Sequence, residues 1–515
     1  MQRKSKAVLL PSVLLATSLV VSACGGSNDA GSSSAPASGG SSAPASSGAS
    51  SGAASNGKEL QLTLAFIGLG NMKEVGLVQD EISKITKAKI NATVKLMPID
   101  IGAWTQQVNL LLAGNEPVDL LVTSSFFNYS SQVAKGQLLP LDDLLAKNAP
   151  TVKDAMEPAI YNSTKINGKM YGVPSVRDTA ADHGIAARKD LMDKYNLSFD
   201  NVKTYADLDP IFKTIKDNEP GVYPLVQRSQ TNGIANELVR GYTDYLGDTP
   251  GVLIIENQDL KLVDLYETQM YKDALQQARK WYQAGYIMPD AATTQEGNNS
   301  LIKAGKGFSY LSNMKPGFAT QESTVNGREM VTASFVPPIS TSDSGTGFMI
   351  SIPKNTQDAD RAAQLLNLLY TDKDIANLLA NGIEGKHYVD AGNGQIKSPE
   401  GGSNYVFNQW EVGNNALTKV WQGMDTDLWA QTKAFNKNST FSKALGFSFD
   451  SSPVKTEVAA VINVNNQYKA GLESGTIDPS KLDEFVKKLK AAGLDKIIAE
   501  KQKQLDAWAK ANNIQ

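Results

Sequence analysis

Cysteine and histidine are almost absent from this sequence. Its 515 residues include one cysteine, Cys24, and two histidines, His183 and His387. A single cysteine cannot form an internal disulfide. Glu384 and His387 have a spacing that places two ligands on one helix face, but the sequence offers no cluster of further cysteines or histidines to complete a metal site. We therefore expect no metal and no cofactor.

Motifs for phosphate binding and for common hydrolases are also missing. Gly68 and Gly70 begin a glycine-rich turn, but Lys73 stands where a dinucleotide fingerprint needs its third glycine. The sequence contains no GxxxxGK[ST] loop, and it contains no GxSxG elbow between an apolar strand and a helix. The net charge is −3, and no run of basic residues alternates with aromatic ones, so we expect no nucleic-acid partner.

The N-terminus has the composition of an export signal. Three basic residues within the first six precede an apolar run at 7–21 and the small residues before Cys24. This layout resembles a lipobox, in which the cysteine receives a lipid and the upstream peptide is removed. The run is short for an uncleaved spanning helix, which needs about 20 apolar residues. We predict a signal peptide at 1–23 and lipidation of Cys24.

Residues 24–57 are predicted to form a disordered tether. After Cys24 they are almost all Gly, Ser, Ala, Pro and Asn, with Asp29 as the only charge, so they have little to bury in a core. A flexible chain of this composition and length has an end-to-end distance of roughly 30 Å. We expect the body of the protein to be held at the extracellular face of the cell membrane by its lipid anchor.

The body alternates patterns typical of strands and helices. Strands are predicted at 60–67, 92–97, 117–122, 307–312 and 348–352, and helices at 72–87, 104–113, 270–282, 359–370 and 480–512, the last broken at Gly493. This alternation predicts α/β architecture with a largely parallel sheet. The body is longer than one hydrophobic core usually spans, which favours two lobes.

Several segments of the body carry a family resemblance. They are 114–121 (GNEPVDLL), 166–174 (INGKMYGVP), 382–388 (GIEGKHY), 445–447 (LGF) and 500–508 (EKQKQLDAW). Together they resemble the extracellular solute-binding proteins of ABC importers, the maltose-binding-protein-like group. The later segments are similar to a Gram-positive lipoprotein subgroup with a DUF3502-like C-terminal region.

The resemblance implies a two-lobed, periplasmic-binding-protein-like α/β fold with a hinge and a ligand cleft. Lobe 1 is expected at 58–178 plus 350–415 and lobe 2 at 179–349 plus 416–515, with a crossing segment near 179–187. The implied function is capture of a sugar or oligosaccharide by a monomer that delivers it to ABC permease subunits. A peptide or another small solute in the same fold is the alternative, because a fold does not fix its ligand. A surface glycoside hydrolase would need a recognisable carboxylate pair, which the sequence does not show.

Candidate ligand contacts follow from the implied fold. A sugar site needs aromatic platforms and planar polar groups at strand ends and in cleft loops. Trp104 and Trp281 fall on the apolar faces of predicted helices and are interpreted as core. The candidate residues are Asn71, Ser124, Ser125, Phe126, Arg177, Asp178, Gln227, Arg228, Tyr310, Asn313, Lys315, Glu384, His387, Trp410, Asn414 and Trp421.

Overall fold

A computed structural model describes residues 58–114, 116–228, 233–247 and 249–514. The predicted signal peptide at 1–23, Cys24 and the predicted tether at 24–57 lie outside these residues. Within them, no helix is both long enough and apolar enough to cross a membrane.

Strands and helices alternate along much of the body. The strands are β1 (Leu60–Gly68), β2 (Ala92–Asp100), β3 (Leu120–Thr123), β4 (Lys165–Ile166), β5 (Lys169–Met170), β6 (Val173–Pro174), β7 (Ala181–Arg188), β8 (Tyr223–Leu225), β9 (Thr243–Asp244), β10 (Leu253–Ile254), β11 (Gly307–Met314), β12 (Met330–Ser340), β13 (Met349–Ser351), β14 (Val389–Gly392), β15 (Gln395–Lys397), β16 (Val420–Trp421) and β17 (Thr440–Phe441). The helices are α1 (Val75–Ile90), α2 (Trp104–Ala113), α3 (Tyr129–Ala134), α4 (Asp142–Asn148), α5 (Pro158–Asn162), α6 (Lys189–Lys194), α7 (Asp209–Asn218), α8 (Ile234–Arg240), α9 (Gln269–Gln283), α10 (Asn298–Lys303), α11 (Phe318–Asn326), α12 (Ala359–Thr371), α13 (Lys373–Asn381), α14 (Leu428–Lys437), α15 (Lys455–Glu473), α16 (Leu482–Ala491) and α17 (Leu494–Ala511).

The first large sheet has the strand order β2-β1-β3-β13-β6. β1 pairs in parallel with β2 from Leu60 opposite Ala92 to Gly68 opposite Asp100, and it pairs in parallel with β3 on its other side. Residues 62–67 of β1 are all buried, as expected for a central parallel strand that is covered on both faces. The carboxyl ends of the parallel strands β1, β2 and β3 therefore meet at one edge of this sheet.

The second large sheet has the order β17-β12-β7-β11-β8. β7 pairs antiparallel with both β11 and β12, whereas β8 and β17 pair in parallel with their neighbours. The prediction of a largely parallel sheet is therefore wrong for this half of the body. The chain crosses from the first sheet and enters the second sheet at β7. Because of this crossing, the alternation of strands and helices along the sequence does not set the direction of the strands in the second sheet.

Each large sheet has its own apolar core. One core joins β1, β3 and β13 to α1, α2 and α12, and we call the part built on it lobe 1. The other joins β7 and β11 to α7, α9, α15, α16 and α17, and forms lobe 2. Trp104 and Trp281 are 1% and 0% exposed in these cores, which confirms their interpretation as packing residues.

The segments that connect the lobes differ in detail from the predicted boundaries. Most of the predicted crossing segment at 179–187 is β7, the central strand of the second sheet, so the first crossing is the short stretch 175–180. Residues 341–348 cross back between β12 and β13. β16 pairs with β15, so the chain is still attached to that small sheet beyond the predicted boundary at 415.

A buried carboxyl group supports the centre of lobe 1. Glu411 is 0% exposed, and its Oε2 accepts a hydrogen bond from the backbone N–H of Ile67 in β1 at 2.9 Å. Burial raises the pKa of Glu411 to about 9, because the ionised form loses its hydration in the core. The carboxyl group is therefore protonated in the folded protein at neutral pH.

We predict that Glu411→Gln flattens the pH dependence of stability. Above the pKa of an unfolded glutamate, the folded protein holds one proton more than the unfolded chain until the pH reaches the folded value near 9. The free energy of unfolding should therefore fall with rising pH in that window, by up to about 1.4 kcal/mol per pH unit. Glutamine keeps an oxygen for Ile67 and has no proton to lose.

Urea unfolding at several pH values in that window measures this effect. The exposed Glu400→Gln is the matched control and should keep the slope of the wild-type protein. Equal slopes for Glu411→Gln and wild type would contradict the assignment of the proton to Glu411.

Candidate functional site

A cavity of about 710 Å³ opens between the two large sheets, where the first two crossings pass. Its volume lies within the range of small-molecule binding sites. Lobe 1 contributes residues beyond the ends of β3 and β6 and before β13, and lobe 2 contributes strands, loops and two helices. The lining residues are Phe126, Arg177, Asp178, Thr179, Ala180, Ala181, His183, Asn236, Arg240, Thr243, Asp244, Tyr245, Leu246, Gly247, Asn313, Ile339, Thr341, Ser342, Asp343, Ser344, Gly347 and Lys469.

Aromatic rings form a row on the lobe 1 side of this cleft. Phe126 is 56% exposed, and its backbone N–H donates to Oγ of Ser124, directly after β3, at 3.0 Å. The ring centroids of Phe126 and Phe348 are 6.3 Å apart, and those of Phe348 and Trp410 are 4.5 Å apart in an edge-to-face arrangement. The Arg177 guanidinium lies 5.8 Å from the centre of the Phe348 ring. These contacts hold the aromatic row at the carboxyl edge of the first sheet.

Charged groups from both lobes meet at the first crossing. Oδ1 of Asp178 lies 3.3 Å from the ammonium of Lys315, which follows β11 of lobe 2. The other carboxylate oxygen, Oδ2, lies 4.0 Å from the Arg177 guanidinium. Further into lobe 2, Nη1 of Arg228 donates to Oδ1 of Asn313 at 2.7 Å. Planar hydrogen-bonding groups therefore stand beside the aromatic row.

Buried titratable groups form the lobe 2 wall. Oδ2 of Asp244 accepts from the backbone N–H of Ser342 and Oδ1 accepts from the Ser342 hydroxyl, both at 2.8 Å, and burial raises the pKa of this carboxyl group. His183 is 4% exposed. Burial, and to a lesser extent Arg240 and Arg228, lower the pKa of His183 to about 3, so the ring is neutral at physiological pH. This wall thus presents a neutral imidazole and a buried carboxyl group that is already hydrogen-bonded to Ser342.

Asn436, near the end of α14, fixes the first crossing by three hydrogen bonds to its backbone. Oδ1 accepts from the N–H groups of Thr179 and Ala180 at 3.0 and 3.3 Å. Nδ2 donates to the carbonyl oxygen of Arg177 at 2.7 Å. The side chain satisfies peptide groups that have no neighbouring strand, and it thereby sets where Arg177 and Asp178 enter the cleft.

The structure brings half of the sequence-predicted residues to the cleft. Four of them line the cavity: Phe126, Arg177, Asp178 and Asn313. Four more contact those residues or their ring partners: Ser124, Arg228, Lys315 and Trp410. Ser125 donates its backbone N–H to the carbonyl oxygen of Thr346 in the second crossing at 2.9 Å.

Other candidates are occupied by contacts inside a lobe. The hydroxyl of Tyr310 bonds Glu322, and Nε2 of Gln227 bonds the carbonyl oxygen of Ala291. Nδ2 of Asn414 bonds the carbonyl oxygen of Tyr370 at 3.1 Å. These partners lie far away in sequence or on a following helix, so a local pattern does not reveal them.

The remaining candidates lie in lobe 1 turns or in the small sheet. Nε2 of His387 is 2.9 Å from Glu74, and Glu384 pairs with Lys419 at 2.9 Å. The amide group of Asn71 donates to Ser403 and Asn404, and Trp421 belongs to β16. None of these residues lines the cavity. Over the part of the chain that the structure describes, no three His, Cys, Asp or Glu residues are grouped so that they could hold a metal ion.

Sequence reasoning missed much of the lobe 2 wall. It did not select Asn236 or Arg240 from α8, the loop at 243–247, the second crossing or Lys469 of α15. The second crossing could have been predicted from the sequence, because the polar run at 340–344 (STSDS) follows a segment predicted to be extended and indicates a loop. The other residues reach the cleft only through the packing of helices distant in sequence.

The sequence profile of the bacterial extracellular solute-binding protein family matches residues 71–376. This chain belongs to that family. A second profile, a domain of unknown function (DUF3502), matches residues 443–510. Both matches confirm the resemblance carried by the sequence segments.

Two relatives are similar over most of this solute-binding protein. It is 26% identical over 447 residues to a carbohydrate ABC transporter substrate-binding protein of Streptococcus pneumoniae serotype 4, covering 83% of this chain and 87% of that one. It is 23% identical over 353 residues to Lipoprotein LipO of Bacillus subtilis strain 168, covering 64% and 66%.

The fold is similar to that of a solved binding protein. The crystal structure of the N-glycan transport solute binding protein (NgtS) from Streptococcus pneumoniae has a TM-score of 0.77 and 25% identity, covering 87% of this chain and 99% of that chain. The structure of NgtS in complex with Man1GlcNAc has a TM-score of 0.67 and 24% identity, with 88% and 100% coverage. The predicted two-lobed α/β fold is confirmed.

We predict that Asn436→Ala destabilises the protein by about 2 kcal/mol, because it removes three hydrogen bonds that are each worth about 0.5–1.5 kcal/mol. Chemical unfolding measures the loss, and hydrogen exchange should increase at Thr179 and Ala180. The matched control is Asn438→Ala, an exposed asparagine that follows the same helix, and its cost should stay below about 0.5 kcal/mol. Equal costs for the two variants would contradict the role of Asn436.

Proposed function

We propose that this solute-binding protein captures a sugar or oligosaccharide in the cleft and delivers it to the permease of an ABC importer. The observation that carries the proposal is the exposed ring of Phe126, which lines a polar cavity of about 710 Å³ and is backed by the partly buried rings of Phe348 and Trp410. The S. pneumoniae relative is a carbohydrate ABC transporter substrate-binding protein, and NgtS crystallised with Man1GlcNAc. Both relatives support a carbohydrate as the ligand of this chain.

The aromatic row has the chemistry of a sugar platform. A pyranose ring has an apolar face of C–H groups, which packs against an aromatic ring and loses little hydration there. Phe126 leaves more than half of its surface exposed in the cleft, although burying a phenylalanine is favourable. Its exposure therefore favours a role in ligand contact.

The polar groups suit hydroxyl recognition. A sugar hydroxyl both donates and accepts, so it is bound best by a donor and an acceptor placed together. Asp178 accepts and Arg177 donates at the first crossing, and Asn313 can do both from β11. Because these groups come from both sides of the cleft, one bound sugar could contact both lobes.

The buried carboxyl group of Asp244 is not placed as the acid of a glycoside hydrolase. Asp244 has the raised pKa of a general acid, but both of its carboxylate oxygens accept hydrogen bonds from Ser342, and Oδ1 also accepts one from Leu246. A carboxyl group held in this way is not placed to protonate a glycosidic oxygen. The family consists of binding proteins, and we propose that this member has no catalytic activity. Turnover of a chromogenic glycoside by the purified protein would overturn this part of the proposal.

Calorimetry with a panel of neutral oligosaccharides, including a mannosyl-N-acetylglucosamine disaccharide, and of short peptides tests the ligand class. We predict binding of at least one sugar by the wild-type body, and a loss of about tenfold in affinity for Phe126→Ala, which corresponds to about 1.4 kcal/mol of lost ring contact. Leu110→Ala is the matched control, because Leu110 is 65% exposed on lobe 1 and does not line the cavity. Peptide binding without any sugar binding would sink the proposal.

We also propose that the protein is anchored to the outer face of the cell membrane through a lipid on Cys24. The signal-like N-terminus, the lipobox-like residues before Cys24 and the similarity to Lipoprotein LipO support this anchor. A single acyl chain anchors weakly, whereas two or more chains hold a protein stably. The predicted tether would then keep the cleft near its permease.

Cys24→Ala should move the protein from the membrane fraction to the culture medium or leave it as an unprocessed precursor. Fractionation and mass spectrometry of the N-terminal peptide measure the two forms. Ser22→Ala is the control, since a small residue is kept before the predicted cleavage site. If Cys24→Ala remained in the membrane fraction with a processed N-terminus, lipidation at Cys24 would not be the anchor.

A further inference from the structure

The region of unknown function at 443–510 is built into lobe 2. Its helices α15, α16 and α17 contribute Val461, Phe485 and Ile497 to the same core as β7 and β11. The ring of Phe485 packs edge-to-face on Tyr266 with centroids 5.1 Å apart. This region therefore belongs to the same packed core as the lobe 2 wall of the cleft.

Lys501 in α17 connects this region to the backbone of the cleft wall. It is 0% exposed, and its ammonium donates to the carbonyl oxygens of Tyr245, Thr249 and Gly251 at 3.1, 2.8 and 3.0 Å. A buried ammonium is costly unless its N–H groups are satisfied, and these carbonyl oxygens replace its hydration. The same contacts fix the three peptide groups around one point.

The loop that Lys501 holds faces the ligand cavity. We call residues 243–247 and 249–251 the cleft loop; Tyr245, Leu246 and Gly247 line the cavity. Leu246 has a φ of 52°, a conformation that costs a non-glycine residue about 1 kcal/mol and persists only when its surroundings hold it. Its side chain is buried with Leu505 of α17, so the same helix holds this loop by packing as well as by hydrogen bonds.

The residue after Lys501 extends this attachment. The side chain of the next residue, Gln502, accepts from the backbone N–H of Leu262 at 2.8 Å and donates to the carbonyl oxygen of Leu260 at 2.9 Å. The segment after β10 is thus fixed to α17 in the same way as the cleft loop. Two adjacent residues of α17 therefore fix both the cleft loop and the segment after β10.

A second lysine of the region reaches the cavity directly. Lys469 of α15 lines it, and its side chain is 30% exposed. Its ammonium lies 3.9 Å from Glu473, a distance longer than a hydrogen bond, so it can donate to a solute in the cleft. Arg240 at the end of α8 lines the same cavity.

We propose that residues 443–510 are a specificity element of the ligand cleft, in which Lys501 positions the cleft loop and Lys469 contacts the bound solute. The contact by Lys469 rests on the proposed function, whereas the positioning by Lys501 is a property of the protein without ligand. The group of the solute that contacts Lys469 would be a hydroxyl or an acidic substituent of a sugar, since an ammonium donates to both. Because the two lysines have different roles, their substitutions are expected to change different measured quantities.

Lys501→Met keeps most of the length of the side chain and removes its donors. Hydrogen exchange should rise about tenfold or more at residues 243–247 while lobe 1 is unchanged, because the loop loses its anchor. Affinity for a mannosyl-N-acetylglucosamine disaccharide, or for the tightest sugar of the panel, should fall about tenfold when measured well below the unfolding temperature. Lys496→Met, on the same helix and 73% exposed, is the control and should change neither quantity.

Two outcomes would overturn the role of Lys501. One is unchanged exchange at 243–247, and the other is a uniform rise over all of lobe 2 with unaltered sugar affinity, which is the signature of a residue that only stabilises the fold.

Lys469→Met tests the direct contact. Affinity should fall about fivefold to tenfold, while exchange at 243–247 and the unfolding temperature stay as in the wild type. Unchanged affinity would remove Lys469 from the site. If the wild-type protein binds a peptide of the panel and no sugar, the proposed function fails. The same variants titrated with that peptide then still decide whether residues 443–510 shape the cleft, with the same losses expected.

Discussion

The structure depends on how the backbone is satisfied where the chain passes between two separate cores. A crossing segment has no neighbouring strand, so its peptide groups need other partners. Asn436 makes three hydrogen bonds to the backbone of the first crossing. In the second crossing, Asp244 accepts hydrogen bonds from the backbone N–H and the hydroxyl of Ser342. Arg177 and Asp178 lie in the first crossing, and residues 341–344 belong to the second. The cleft is therefore assembled from side chains whose positions are set by these few bonds.

The two faces of the cleft differ in chemistry. Lobe 1 offers the rings of Phe126, Phe348 and Trp410, while lobe 2 offers the charged ends of Arg240 and Lys469. A ligand shifts a conformational equilibrium only by the difference in its contacts with the two states. A solute that stacks on the aromatic row and also reaches the charged wall would favour the arrangement in which both faces contact it. A sugar has both an apolar face and hydroxyl groups, and so it suits this division.

Local patterns predicted the elements better than the site. The helix predicted at 104–113 is α2, and the strand predicted at 60–67 is β1 extended by one residue, because apolar periodicity directly reflects burial on one face or both. Phe126, Arg177 and Asp178 follow strands, and the structure places all three at the cavity. Tyr310 and His387 are predicted from their positions in the implied fold, but they contact Glu322 and Glu74, and such pairings depend on tertiary packing. The prediction of parallel strands in the second sheet failed for a related reason, since local patterns do not show in which direction the chain enters that sheet.

Lys501 shows how a departure from a pattern can carry information that the pattern does not. Ile497, Lys501 and Leu505 are spaced by four residues, and all three are buried, so the lysine occupies a position where the apolar stripe of α17 calls for a hydrophobic side chain. A charge at such a position destabilises a fold unless polar groups surround it. The lysine in the stripe thus indicates buried polar partners, and three carbonyl oxygens of a loop are among them. In this protein the loop is the one whose other side faces the ligand cavity, which is why the sequence of a distant helix constrains the shape of the cleft.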